Sequence, residues 1–335
     1  MHATKPAHAR KYLATIAVSS AVLLLTGGTT AATVDPPDRG EPHSPGPVFV
    51  LDKGRFTAFD PPGLNANELV DINDRGQVAG TYVAPNGRSR GFLRGKHGRF
   101  TLVDAPSAVE TYVSKISDRG QIVGLACDAL GCDSQRGFLR DADGTFHPIR
   151  VRGAASTEAF GLDDRGRIVG QYADRHGVVH GFHWRHGRFT TIDIRGAAGT
   201  SITGLNDHGE MVGLYADADA DGTLHAFYRT ARGRVTTIDA PGVPLTLPFD
   251  INDRGTIVGI TTDTLPLPDA REVHGFRLDT RRGDRLRPID VPGAPRTVAF
   301  GIDDRGRITG IYENTAASIA RLASATPMPL NLGTR

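Results

Sequence analysis

Leu162-Asp163-Asp164-Arg165-Gly166-Arg167-Ile168-Val169-Gly170 carries one of six copies of the pattern Asp-x-Gly-x-Φ-x-Gly, where Φ is apolar. The other five centre on Asp74-Arg75-Gly76, Asp118-Arg119-Gly120, Asp207-His208-Gly209, Asp253-Arg254-Gly255 and Asp304-Arg305-Gly306. Successive turn glycines lie 44, 46, 43, 46 and 51 residues apart. A near-constant period of this length marks one supersecondary unit, repeated and stacked.

Working outward from that turn, the unit holds four short apolar stretches: Thr157 to Leu162, Arg167 to Tyr172, Val178 to Trp184 and Arg188 to Ile194. They are rich in Val, Ile, Phe, Thr and Tyr and too short for helices, so they read as strands. Asp or Asn at the turn can bond its own backbone two residues on, and Gly supplies the positive φ that closes it. A second glycine follows each turn glycine by four: Gly80, Gly124, Gly170, Gly213, Gly259 and Gly310. Glycine weakens a strand unless another backbone needs the space, so neighbouring sheets are expected to approach there.

Four antiparallel strands per unit at this period are the signature of β-propeller blades. Val48 to Asp60 contains only the third and fourth strands of a unit, and Thr297 to Tyr312 only the first two. Joining these halves makes a sixth blade and removes two open sheet edges. The sequence therefore predicts an all-β, six-bladed propeller over residues 47–315, closed by its two ends. An open β-solenoid would need no such match.

The N-terminus reads as a secretory signal over residues 1–32. Lys5, Arg10 and Lys11 precede the apolar run Tyr12 to Thr26, and Thr30-Ala31-Ala32 offers cleavage near Ala32. Residues 33–46, with four prolines, read as a linker, and 316–335 as a C-terminal tail. Without residues 1–32 the chain has 36 Lys plus Arg against 37 Asp plus Glu. A near-neutral surface gives no long-range drive toward nucleic acid. The expected product is a secreted monomer with no membrane attachment after cleavage. In that setting the close pair Cys127 and Cys132 is expected to form a disulfide that shapes one loop.

No nucleophile elbow, zinc-protease motif or phosphate-binding loop occurs. Asp217, Asp219 and Asp221, followed by Gly222, alternate as in a Ca²⁺ loop, but no Glu closes it. The segment reads as a calcium site or as a solvated loop; no other cofactor is indicated. Asp60, Asp104, Asp193, Asp239 and Asp290 recur at the end of the fourth strand, with Arg150 breaking the series. They read as caps holding the blade-to-blade crossovers. One position varies instructively. Just before the apolar residue of the first strand stand Gly161, Gly204 and Gly301, but also Asp71, Lys115 and Asp250. First strands line a propeller's channel. These charges, with Glu68, Tyr112 and Glu158 nearby, are candidates to bind a ligand or do acid–base work at its mouth, or to pair with each other.

His180-Gly181-Phe182, His225-Ala226-Phe227 and His274-Gly275-Phe276, together with the Asn-Asp-x-Gly-x-Ile-Val-Gly turns, resemble the bacterial extracellular HAF repeat family over roughly residues 48 to 312. Arg replaces His at Arg90 and Arg136. The repeated histidines read as packing positions. The resemblance implies a secreted, propeller-like protein and carries over no catalytic residue. Variable loops on a regular scaffold then point to a binding or adhesion module for a glycan or surface protein. The competing class is a secreted hydrolase or lyase with its site at the channel mouth.

Overall fold

The computed structural model describes residues 47–59, 66–130, 132, 135–218, 222–265, 270–283 and 285–313. The segments expected to be signal, linker and tail, with Asp60, Asp219 and Asp221, lie outside these residues.

Six four-stranded antiparallel sheets surround one axis. Their innermost strands, which number blades one to six, are Ala66–Ile72, Glu110–Ile116, Ser156–Leu162, Ala197–Leu205, Leu245–Ile251 and Thr297–Ile302. Each packs against the innermost strands of both neighbours, so the ring closes. Blade six is assembled from both ends of the chain: Val48–Asp52 pairs with Ile308–Tyr312 on one side and Arg55–Phe59 on the other. The expected six-bladed closure is the observed one. Among the described residues no helix is long and apolar enough to cross a membrane.

The two recurring motifs turn out to be one packing unit. In every blade the second-strand glycine stands opposite the buried third-strand phenylalanine, as in Gly80↔Phe92, Gly124↔Phe138, Gly170↔Phe182, Gly213↔Phe227, Gly259↔Phe276 and Phe49↔Gly310. A Cβ on Gly170 would lie 1.9 Å from the Glu158 carbonyl oxygen and 3.0 Å from the Phe182 ring. The space is therefore taken by the blade's own inner strand and its own phenylalanine, which corrects the expectation of a neighbouring sheet. That approach occurs instead at the third-strand glycine. A Cβ on Gly91 would meet Val113 of the next blade at 2.8 Å, and one on Gly181 would meet Ile202 at 3.0 Å. The six phenylalanines are 0–2% exposed and form the centre of each blade.

Crossovers between blades are held by threonine. The Oγ1 atoms of Thr111, Thr157, Thr200, Thr246 and Thr297 accept the backbone N–H six residues upstream, at 2.9–3.0 Å. The fourth-strand aspartates do something else. Asp193, Asp239 and Asp290 pair with His180, His225 and His274 of the third strand in their own blade, at 2.8, 2.6 and 3.2 Å, and Asp104 pairs with Arg90 at 3.1 Å. The histidines and the aspartates are thus two halves of one intra-blade hydrogen-bonded pair, rather than packing positions and crossover caps.

Candidate binding site at the mouth of the central channel

The six Asp-x-Gly turns gather at one end of the axis. Within each turn it is the residue before the recurring aspartate that serves as the local cap. Asn73 Oδ1 accepts from Arg75 and Gln77, and Asp163 Oδ1 from Arg165 and Arg167. This frees the recurring aspartate to reach the next blade. Asp118 Oδ1 accepts the Asp74 N–H at 2.7 Å, Asp164 that of Asp118, Asp207 that of Asp164, Asp253 that of Asp207, Asp304 that of Asp253, and Asp74 that of Asp304 at 2.9 Å. Six charge-assisted bonds therefore run once round the axis and close on themselves.

A second inter-blade bond accompanies the first. Where the cap is Asn, its Nδ2 donates to the next blade's backbone: Asn73 to Ser117 O, Asn206 to Asn252 O and Asn252 to Asp303 O. Where the cap is Asp and lacks that donor, an arginine four residues on supplies it. Arg167 Nη2 reaches Asn206 O and Asp207 O, and Arg307 Nη2 reaches Asn73 O and Asp74 O. Asp163 and Asp303 hold those arginines as ion pairs.

Beneath this ring the structure brings together the three charged residues of the variable inner-strand position. Lys115 Nζ donates to Asp71 Oδ1 at 3.1 Å and, from the opposite side of the ring, to Asp250 Oδ2. Asp71 and Asp250 are 2% and 1% exposed. Their remaining capacity goes to backbone. Asp71 Oδ2 accepts Ile116 N–H at 2.9 Å, and Asp250 accepts from Ile251 and Ile302 at 2.8 and 2.9 Å. The glycines at the same position are needed for space. A Cβ on Gly301 would lie 2.2 Å from Asp71 Oδ1, and one on Gly204 3.0 Å from Asp250 Cα. In blades two to six the charged or glycine residue follows a bulge directly, as between Val113 and Lys115, which turns it toward the axis.

The electrostatics follow from burial. Desolvation raises the Asp71 carboxyl to about 7 against the opposing pull of Lys115, and the charge of Asp250 adds to the rise. Burial opposes the charge on Lys115, but Asp250 and Asp71 outweigh it and raise its pKa. In the turn ring, desolvation lifts Asp304 to about 6, and the charges of Asp253 and Asp74 act in the same direction.

Tyr112 and Glu158 do not join this cluster. Tyr112 packs with Leu125, Cys127, Cys132 and Phe160, and Glu158 Oε1 accepts from Gln171 Nε2 at 3.1 Å. The side chain of Glu68 lies outside the described residues. Asp217, the described member of the calcium candidate, faces His225 Nε2 at 3.1 Å. Cys127 and Cys132 are joined as a disulfide, with Cα atoms 4.9 Å apart.

Two cavities matter for what the molecule can hold. The axial mouth encloses about 60 Å³, room for a few waters rather than a sugar or peptide. Among the described residues no three His, Cys, Asp or Glu converge to hold a metal ion. A second cavity, about 1020 Å³, opens between blades four and five and includes Tyr228, Arg234, Ile238, Leu278, Arg285 and Leu286 in its lining. The outer strands there, Val235–Thr237 and Arg287–Ile289, are only three residues long. The shorter walls leave the wedge between those blades unfilled. Strand lengths carry this signal, but it is faint without the register.

No family model matches the chain, and no curated protein matches its sequence. Among solved structures, a protein assigned as TolB from Agrobacterium tumefaciens superposes with a TM-score of 0.61 at 12% identity, over 81% of this chain and 99% of that one. TolB from Acinetobacter baumannii gives 0.51 at 13% identity, over 80% of this chain and 64% of that one. At such identity the likeness is one of fold.

Proposed function

We propose that this protein is a secreted, non-enzymatic binding module of the cell exterior, taking a glycan in the first instance and a surface protein in the second. The observation that carries this reading is the state of the axial charges. Asp71, Lys115 and Asp250 are the best-placed groups for acid–base chemistry, yet they are buried, paired with each other and bonded to backbone beside a space of about 60 Å³. A general base must reach a substrate proton, and these carboxylates face protein on every described contact. The ligand-sized space lies elsewhere, between blades four and five, where threonines and two arginines meet apolar side chains. Export is supported by the N-terminal pattern of residues 1–32 and by a disulfide, which persists in oxidising compartments.

The test is a panel of oligosaccharides and lactones offered to the exported protein, read for binding by calorimetry and for turnover by mass spectrometry. Binding without turnover, unchanged in Asp250→Asn, is the expected result. Turnover that disappears in Asp250→Asn in a folded protein would replace this reading with the hydrolase or lyase.

A further inference from the structure

Blade two breaks the rule that blades one, three, four and five keep on the face carrying their crossovers. At the start of the third strand stands an arginine or a histidine, and at the end of the fourth an aspartate answers it: Arg90 with Asp104, His180 with Asp193, His225 with Asp239, His274 with Asp290. In blade two the cation is Arg136 and the answering position is Arg150. Two arginines stand where those blades set an arginine or a histidine against an aspartate. Arg136 turns aside to Asp128 and donates from Nη2 to Pro106 O at 3.0 Å. The antiparallel ladder that pairs Ile149 with Gly137 continues to set Arg150 opposite Arg136. Arg150 itself is exposed, and among the described residues no carboxylate pairs with it. Arg152, two residues on, is exposed as well.

We infer that Arg150, beside an Arg136 already held by Asp128, forms an anion subsite that takes an external carboxylate where the fourth strand of blades one, three, four and five supplies its own, and that its ligand is the uronic-acid group of an acidic glycan. This rests on the reading of the protein as a glycan-binding module and specifies the charge of the glycan. Guanidinium is the natural receptor, since its planar fork bonds both carboxylate oxygens. Four other blades hold a carboxylate at this place against a third-strand arginine or histidine. The surface disfavours an extended acidic peptide. Such a peptide commonly docks by adding a strand to a sheet edge, and the outer strand Phe146–Ile149 carries Pro148, which has no N–H to offer. A sugar acid needs no such edge.

The experiment uses the full exported chain and three probes: hexagalacturonate, neutral maltohexaose and hexaglutamate, with affinities from calorimetry at low salt. Arg150→Asp restores the residue type of the other blades, so the fold should be retained; a melting temperature at or above that of the parent checks this. Expected is preference for hexagalacturonate, weakened about tenfold or more in Arg150→Asp and unchanged in Arg55→Ala, which removes an exposed guanidinium from the outer strand of blade six. Hexagalacturonate binding that Arg150→Asp leaves intact overturns the subsite. Equal or tighter binding of hexaglutamate overturns the choice of a sugar acid. Binding of maltohexaose alone overturns the inference while sparing the glycan-binding reading, and binding of no probe counts against both.

Discussion

At the scale of single residues, charge placement on the axis controls stability more than chemistry. Among the described residues Lys115 is the sole cation between two carboxylates that are almost fully removed from water. Replacing it with methionine leaves those carboxylates facing each other unneutralised. The expected cost is about 3–5 kcal/mol by urea unfolding, the range for removing one partner of a buried pair. A loss below about 1 kcal/mol would mean that Lys115 behaves as a surface ion pair. The axial cluster and the turn ring together make a second prediction, in pH. Asp71 and Asp304 hold protons more tightly folded, at about 7 and about 6, than at their ordinary value of 3.8. Between pH 4 and 7 the folded protein therefore binds more protons than the unfolded chain, and stability falls as pH rises through that window. His225 acts in the same sense. Burial works against its charge, but hydrogen bonds to Asp239 and Asp217 raise its pKa, so its contribution is present below 6.5 and lost above the folded value. The melting temperature should be higher at pH 5 than at pH 8. Asp304→Asn keeps the oxygen that accepts the Asp253 N–H but removes the charge, so it should flatten that slope and raise the melting temperature at pH 8. A melting temperature that climbs from pH 5 to pH 8 would contradict the assignment.

At the scale of the strand, the glycine–phenylalanine cross-strand pair is the repeated unit of the core. Its glycine is required by backbone contact, not by backbone conformation. Gly170→Ala brings a Cβ against the Glu158 carbonyl oxygen and the Phe182 ring, so something in the blade must move. A cost of about 3 kcal/mol is expected, the upper part of the overpacking range. Gly177→Ala is the useful comparison. That glycine has φ +78° and nothing within 4 Å of the place a methyl group would take, so alanine there meets only conformational strain, about 1–2 kcal/mol. Calorimetric melting should order the two variants accordingly. Equal losses would remove the contact argument and leave only the general cost of replacing glycine.

At the scale of the whole molecule, closure depends on one antiparallel seam, Val48↔Ile311 through Leu51↔Ile308. The hydrogen-bonded ring at the channel mouth crosses the same boundary, through Asp304 to Asp74. Deleting residues 47–59 leaves blade six with two strands and exposes Ile308 and Ile311 along a new edge. That variant should lose cooperative thermal unfolding and self-associate, read by calorimetry and by light scattering. A sharp transition in a monomeric deletion variant would show that five blades and the aspartate ring suffice.

The repeat by itself determined the blade count, the strand order and the closure by both ends, because these follow from period, strand length and turn chemistry, which are local. It also placed Asp71, Lys115 and Asp250 at the channel, because they stand at an inner-strand position that is glycine in the other blades. Partners were not legible. That Lys115 reaches across the axis to Asp250 depends on which blades stand opposite each other. That Asp164 bonds the N–H of Asp118, while its neighbour Asp163 caps the turn, depends on the spacing of adjacent blades. That the histidines answer the fourth-strand aspartates depends on strand register within a blade, and so does the finding that Gly170 makes room for Phe182 rather than for the next sheet. A hydrogen bond between residues 44 or 135 positions apart leaves no periodic trace in a single chain. Only packing in three dimensions decides which charges are shared, which are buried, and that Arg150 is left facing water.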